Sequence, residues 1–322
     1  MASWLVKAMV QRGIAALPNP HYWNELLQDR LTHSLDLTDE RFASQLHNCR
    51  THFEQFQRHG STTPGNFSAF ELGTGWFPVV PIGLFLCGAR EVWTWDVAPL
   101  LKLDRVILAI GRFLEVEQKE ELQNHLPALR QERLARLREA MTLCKSLESL
   151  EPAQLLERLD IRYRIGNAGR SGLPPQSVDL IASDVVLEYL TPEQLSEMFQ
   201  EFRRIAAPDA VMSHSIALGD QYSSFDPEIT PFNFLRYSDR LWRWLNNPII
   251  PLNRLRISDY RRFFNESRFQ IVDEISVRGD PADLARTPLA PRFQGYAVED
   301  LLVLYTRLVA VPRVGFQVAA AI

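Results

Sequence analysis

The chain has 322 residues, 46% hydrophobic and 23% charged, with a formal net charge of −4 at pH 7. This is the composition of a globular protein with a sizeable core, and its mild negative charge argues against a general nucleic-acid binder, which would carry a basic face. The three cysteines form no C-x-x-C pair. They indicate neither a metal site nor a disulfide framework, and we expect free or buried thiols in the cytoplasm.

Helical patterns fill the N-terminal part of the chain. In residues 1–17 apolar positions follow helical spacing, but Lys7 and Arg12 interrupt them and make the segment too short and too charged to span a bilayer. We predict an amphipathic helix that packs on the protein; weak contact with a membrane surface is the alternative. Gly60 and the breakers after it predict a boundary between a helical cap, residues 1–65, and a main domain, residues 66–322.

From Phe67 onward, short apolar runs alternate with helical stretches. The strand-like runs are FSAFEL, EVWTWDV, DIRYRIG, SVDLIASD and AVMSHSIAL, followed near the end by FQIVDEISV and DLLVLYTRLVAV. This alternation predicts an α/β fold: a Rossmann-like, doubly wound sheet of seven strands with the last pair antiparallel. Residues 220–266 are rich in aromatics, Asn, Pro and Arg, and we predict that they form a lid insertion after the fifth strand.

A glycine turn follows the first predicted strand. Gly73 and Gly75 have no third glycine at dinucleotide spacing, and no P-loop sequence is present. Such a turn lies at the carboxyl edge of a parallel sheet, where ligands approach the main chain closely. Glu71 stands two positions before the first glycine, and its negative charge disfavours a pyrophosphate and favours a cationic ligand.

The segment ELGTG and the acid Asp96, 25 positions after Glu71, together resemble the S-adenosylmethionine-binding motif of class I methyltransferases. The resemblance extends over roughly residues 67–218. It implies S-adenosyl-L-methionine as cofactor, held at Glu71, Gly73 and Gly75, with Asp96 accepting the two ribose hydroxyls. Trp76 replaces the small residue of the motif, and we expect its ring to pack against the methionine arm or to close the pocket.

Two later segments continue this resemblance. In YRIGNAG, Asn167 and Ala168 match the adenine-binding position, where the family usually has aspartate. In VDLIASDVVLEYL, Ser183 and Asp184 match the end of the fourth strand near the methionine of the cofactor. Tyr189 stands where many relatives have histidine, which makes it a candidate catalytic side chain.

Candidate substrate residues follow the fifth predicted strand. The segment SHSIALGDQYSSFD is similar to one found in a subset of small-molecule methyltransferases, with His214 and Asp220 as catalytic candidates and Tyr222 near the substrate. His214 is either a core histidine or a pocket-lining group, and Asp220 either contacts ligand or caps the next turn. Arg254 and Arg256 either hold an anionic substrate group or form salt bridges at the rim of the sheet.

These features together predict a cytoplasmic methyltransferase that acts on a small-molecule acceptor and needs no metal. The negative charge disfavours nucleic-acid partners. Two alternatives remain at this point: a methyltransferase that acts on RNA or protein, and a cofactor-binding assembly protein without catalysis.

Overall fold

A computed structural model describes residues 4–18, 36–61, 65–126, 128–144, 150–246 and 251–313. Within them the strands are β1 (Phe67–Leu72), β2 (Ala89–Asp96), β3 (Ile161–Ile165), β4 (Val178–Asp184), β5 (Ala206–Ala217), β6 (Phe269–Arg278) and β7 (Val303–Pro312). They form one sheet in the order β3-β2-β1-β4-β5-β7-β6. The first five strands run parallel and β7 is antiparallel to both of its neighbours. This confirms the predicted Rossmann-like α/β fold.

The helices of the described residues cover both faces of this sheet. In chain order they are α1 (Trp4–Ala15), α2 (Asp39–His59), α3 (Val79–Leu86), α4 (Leu103–Gln118), α5 (Leu122–His125), α6 (Gln131–Cys144), α7 (Pro152–Glu157), α8 (Pro192–Ile205), α9 (Asp239–Leu245), α10 (Ile257–Glu266), α11 (Pro281–Ala285) and α12 (Val298–Leu302). None of the described helices is long and apolar enough to cross a bilayer.

One face of the sheet is covered by α2 and α3 together with α4 to α7. Thr38 caps the start of α2 by accepting a hydrogen bond from the Arg41 N–H. The apolar stripe of α2 then packs into the same core as β1 and α3, through Phe42, Leu46, Cys49, Phe53 and Phe56. The N-terminal segment therefore shares a core with the sheet, while the predicted boundary at residue 65 stays a prediction.

The opposite face is covered by α8 and α10. Thr191 and Gln194 form a capping box at the start of α8, and Pro192 occupies the first helical position, as the sequence signals predict. Aromatic side chains from these two helices pack over β4 and β5, among them Phe199, Phe202 and Phe264.

A third apolar cluster lies beyond the carboxyl end of β5. It joins α1 to the insertion after β5, because Trp4 packs on Tyr222 at a ring distance of 5.5 Å and on Tyr237 at 5.8 Å. The connection between β6 and β7 also contributes, through Leu284 and Phe293. The described residues of 220–266 thus form one part of a larger apolar cluster at this edge of the sheet.

Three element boundaries differ from those predicted. Strand β5 begins at Ala206, four residues before the predicted run. The segment DLLVLYTRLVAV begins as helix α12 and becomes strand only at Val303. Strand β2 begins at Ala89, two residues before the predicted run EVWTWDV.

Candidate functional site

The glycine turn lies at the carboxyl edge of the sheet, directly after β1. Gly73 and Gly75 have φ angles of 85° and 67°, a conformation that favours glycine. A Cβ at Gly73 would lie 2.3 Å from Cγ2 of Val186, whereas a Cβ at Gly75 would meet no atom of the described residues within 4 Å. Gly73 is therefore required by packing, and Gly75 faces open space where a ligand can approach the main chain.

Asp96 ends the neighbouring strand β2 and is buried beside this turn. Its Oδ2 accepts a hydrogen bond from the Gly75 N–H at 2.9 Å, and its Oδ1 accepts one from the Ala98 N–H at 3.4 Å. These two contacts hold the carboxylate in one orientation beside the glycine turn.

Glu71 is a buried carboxyl group beneath the turn. Burial raises its pKa to about 8; the hydroxyl of Thr94, which donates to it, opposes the rise, and the negative charges of Asp184 and Asp96 add to it. Three carboxyl groups thus lie close together at this edge, and Glu71 is the one that stays mostly protonated at neutral pH.

Asn167 and Ala168 follow β3 at the same edge. The exposed Asn167 caps a short helical turn by accepting a hydrogen bond from the Gly169 N–H at 2.9 Å, and its amide donates to Glu197 at 3.3 Å. The Gly166 N–H donates to the Asp96 carbonyl at 2.9 Å, which ties this turn to the end of β2.

Trp76 is partly buried beside the glycine turn, with the Arg105 guanidinium 4.5 Å from its ring centroid.

His214 and Ser183 contact each other in the core beneath the sheet edge. His214 is fully buried, its Nδ1 lies 2.7 Å from the Ser183 Oγ, and its ring stacks on Phe202 at 5.4 Å. Burial lowers the pKa of His214 to about 3. It is a neutral core histidine, because its ring is enclosed by Phe199 and Phe202 of α8 and Phe264 of α10.

Asp184 is held by a histidine that sequence reasoning missed. His52 on α2 places Nε2 2.9 Å from Asp184 Oδ2 and Nδ1 2.7 Å from the Ser213 Oγ, and Arg307 lies 4.0 Å from Asp184 Oδ1. Burial opposes ionisation of Asp184, but His52 and Arg307 outweigh it and hold the pKa below its usual value. The signal in the sequence that could have indicated this contact is the position of the polar His52 beside Phe53, on an otherwise apolar face of a predicted helix.

Asp220 lines a cavity of about 480 Å³ between α1 and the insertion. The Tyr222 N–H donates to its Oδ1 at 2.9 Å and the Asn233 amide to its Oδ2 at 3.0 Å, so it caps the turn while burial raises its pKa to about 6. Tyr222 lines the same cavity, and its hydroxyl donates to Gln11 of α1 at 2.9 Å. Tyr189 accepts a hydrogen bond from Gln221, which also lines the cavity.

Arg254 and Arg256 are buried and the terminal N–H groups of both guanidiniums donate to the protein, which favours a structural role over substrate binding. Arg254 donates to the carbonyls of Phe234 and Tyr237 and to Asp239, at 2.6–2.9 Å. Arg256 donates to the carbonyl of Leu218, just after β5, and to carbonyls of α12 and β7. The other predicted alternative was that both arginines form salt bridges at the rim of the sheet. Of the two, Arg254 forms such an ion pair, with Asp239.

Glu188 is a second buried carboxyl group with a raised pKa. It lies in the turn after β4 and accepts a hydrogen bond from the Ala217 N–H at 3.2 Å, while its other oxygen has no partner among the described residues. Burial raises its pKa to about 8. The sequence marked its neighbour Tyr189 but gave no reason to expect a buried acid here.

No family model and no curated protein matches this chain. Among solved structures it is similar to geranyl diphosphate C-methyltransferase from Streptomyces coelicolor A3(2), with 12% identity, 81% of this chain and 78% of that chain covered, and a TM-score of 0.44. It is also similar to a candidate sarcosine dimethylglycine methyltransferase from Galdieria sulphuraria, with 14% identity, coverage of 82% and 85%, and a TM-score of 0.43. The strand order itself defines the fold of this chain.

Proposed function

We propose that this protein is an S-adenosylmethionine-dependent methyltransferase that acts on a small-molecule acceptor. The observation that carries the proposal is the carboxylate of Asp96, fixed 2.9 Å from the Gly75 N–H beside a glycine turn that is open to ligand. This arrangement offers a bidentate acceptor for adjacent hydroxyls and a main-chain surface for close approach.

The residues at this edge fit the cofactor. Asp96 would bind the ribose hydroxyls, the turn after β3 at Asn167 and Ala168 would border the adenine, and Glu71 would lie beneath the glycine turn. When bound, the cofactor supplies a methyl group on a positively charged sulfur. The chain itself has to orient the acceptor and exclude water from the reacting pair.

The cavity between α1 and the insertion is the proposed acceptor site. Its volume of about 480 Å³ is in the range of small-molecule pockets. Asp220 is the candidate base for an acceptor that must lose a proton, because its pKa of about 6 lies near neutrality. Tyr189 and Tyr222 supply phenol groups at the same cavity, and burial raises the pKa of each to about 12.

Titration calorimetry with S-adenosylmethionine and S-adenosylhomocysteine tests the cofactor site. We expect the wild type to bind both and Asp96→Ala to bind at least about tenfold more weakly, since hydrogen bonds to a charged group contribute about 1.5–3 kcal/mol each. Asp179→Ala is a matched control, because Asp179 also accepts a main-chain hydrogen bond, from Ser68 at 2.7 Å, but at the opposite end of the sheet.

Absence of binding by the wild type, or equal affinity of Asp96→Ala and the control, would refute the proposed site. Turnover is tested separately by incubation of the wild type with labelled cofactor and a cell extract, followed by mass spectrometry of the products. A labelled small molecule supports the proposal. Labelled RNA or protein would overturn the acceptor class, and cofactor binding without any product would point to a non-catalytic protein.

A further inference from the structure

Helix α1 presents an apolar face away from the protein. Trp4 and Ala8 are buried against the insertion, and the Trp4 N–H donates to Asp226 at 2.9 Å. Val6 and Met9 point outward, with exposed fractions of 51% and 57%, and Leu5 and Val10 are exposed beside them. The helix is therefore apolar on both sides, with one side used for packing and the other left in solvent.

Helix α9 extends this exposed apolar surface. Trp242 and Leu245 are buried, whereas Leu241 is exposed and Trp244 is 50% exposed. A groove of about 320 Å³ runs between the two helices and is lined mostly by apolar side chains from both. We call this surface the α1–α9 face; its exposed residues are Leu5, Val6, Met9, Val10, Leu241 and Trp244.

Arg12 fixes the two helices to each other. Its guanidinium donates to the carbonyl of Trp244 at 2.8 Å and lies 5.4 Å from the Trp244 ring centroid. The apolar side chains of the α1–α9 face thus belong to one preformed surface. Such contiguous exposed apolar patches on soluble proteins mark sites of interaction.

The charge around this face is positive, in contrast to the rest of the chain. Apart from Lys7, which lines the acceptor cavity, helices α1 and α9 carry Arg12, Arg240 and Arg243 against the single acid Asp239, a net charge of +2 in a chain of net charge −4. Asp239 is moreover paired with arginines from outside these two helices. An apolar face with basic side chains is complementary to a surface that offers both acyl chains and anionic headgroups.

We propose that the α1–α9 face docks on the surface of a membrane that contains anionic lipid. Val6 and Met9 would enter the acyl boundary, and Trp244 would lie at the headgroup level, where indole rings are favoured. The exposed Arg240 and Arg243 would contact the headgroups. Neither helix spans the bilayer in this arrangement, since both would lie along its plane.

A second copy of the chain is a weaker candidate for the same face. In a twofold dimer the same patch meets itself, so a net charge of +2 would face an identical charge. An anionic lipid surface removes this repulsion, because each basic side chain then meets a negative headgroup.

The proposed acceptor cavity lies on another side of the same helix. Lys7 and Gln11 of α1 line that cavity, while Leu5 and Met9 line the groove. Docking of the α1–α9 face would therefore place the cavity within about one helix diameter, ~10 Å, of the lipid. Membrane docking itself does not depend on the proposed methyl transfer.

Vesicle co-sedimentation of the full chain tests this proposal. We expect binding to vesicles of phosphatidylcholine with phosphatidylglycerol, weaker binding to phosphatidylcholine alone, and loss of the difference at high salt. The double variant Val6→Glu/Met9→Glu should bind at least about tenfold more weakly, since burial of one large apolar side chain corresponds to that factor or more. Leu108→Glu/Val298→Glu is the matched control, because these exposed residues lie on α4 and α12.

A second measurement locates the contact. Brominated lipids should quench tryptophan fluorescence of the wild type, and Trp244→Phe should bind vesicles normally but lose much of that quenching. The proposal is overturned if the wild type stays in the supernatant with anionic vesicles, or if the glutamate double variant binds as well as its control. A concentration-dependent dimer that only the double variant abolishes, without vesicle binding, would assign the face to a second copy.

Discussion

Arg256 connects three separate parts of the chain, and its removal should destabilise the protein rather than weaken substrate binding. The side chain is fully buried, and its guanidinium donates to the carbonyls of Leu218 at 2.6 Å, Leu301 at 3.0 Å and Val303 at 2.5 Å. The substitution Arg256→Met keeps the length and much of the volume of the side chain while it removes every donor.

The expected loss follows from these three contacts. A buried acceptor that loses its donor costs about 1–3 kcal/mol, so three carbonyls amount to about 3–9 kcal/mol. Removal of the buried positive charge offsets part of this loss, because burial of a guanidinium is itself unfavourable. The same burial lowers the pKa of Arg256 to about 10. We therefore expect a net loss of about 3 kcal/mol, or about 6 °C in melting temperature for a chain of this size.

Urea unfolding followed by circular dichroism measures this loss. The matched control is Arg261→Met, because Arg261 forms a largely exposed ion pair with Glu274 whose removal should cost less than about 1 kcal/mol. If Arg256→Met unfolds within about 0.5 kcal/mol of the wild type, the three carbonyl contacts do not hold the insertion to the sheet, and a ligand-binding role for Arg256 is restored.

Two further substitutions separate packing from ligand approach, and one isolates a pH effect. Gly75→Ala should cost about 1–2 kcal/mol of stability, because a left-handed backbone disfavours alanine, and it should weaken S-adenosylmethionine binding in calorimetry. Gly73→Ala should lose about 1–3 kcal/mol more stability than Gly75→Ala, because its Cβ would clash with Val186. Equal losses of stability in the two variants would contradict this reasoning. Glu188 has a folded pKa of about 8, above its ordinary 4.5, so the folded state holds the extra proton between these values and stability falls as pH rises. Urea unfolding measured from about pH 5 to pH 8 should therefore show that the free energy of unfolding declines less steeply with pH for Glu188→Gln than for the wild type. An equally steep decline in the two proteins would rule out deprotonation of Glu188 as a cause.

The sheet and the glycine turn were predictable because their signals are local. Strand β1 coincides with the run FSAFEL, and β4 with most of SVDLIASD, since buried parallel strands read as continuous apolar segments between turn residues. The carboxyl ends of neighbouring parallel strands meet at one edge. The proximity of Gly75 and Asp96 therefore followed from the strand assignments alone.

The remaining side-chain environments depend on contacts between distant parts of the chain. Alternation along β5 gave the face on which His214 lies, but not that aromatic rings of α8 and α10 would cover it. His52 and Asp184 are 132 positions apart, and only the packing of α2 on the sheet brings them together. Arg254 and Arg256 are alternate residues in the chain, and this spacing likewise does not predict the main-chain carbonyls from distant segments that accept their hydrogen bonds.

The position of β7 between β5 and β6 also determines the order in which the sheet can be completed. Among the described strands β6 pairs only with β7, which follows it in the chain. During synthesis β6 therefore leaves the ribosome before its partner exists, and the edge of β5 stays open until residues 303–312 have emerged. A chain interrupted before Val303 would expose two unpaired strand edges at once, which makes this half of the sheet the part most dependent on protection from aggregation while the protein is being made.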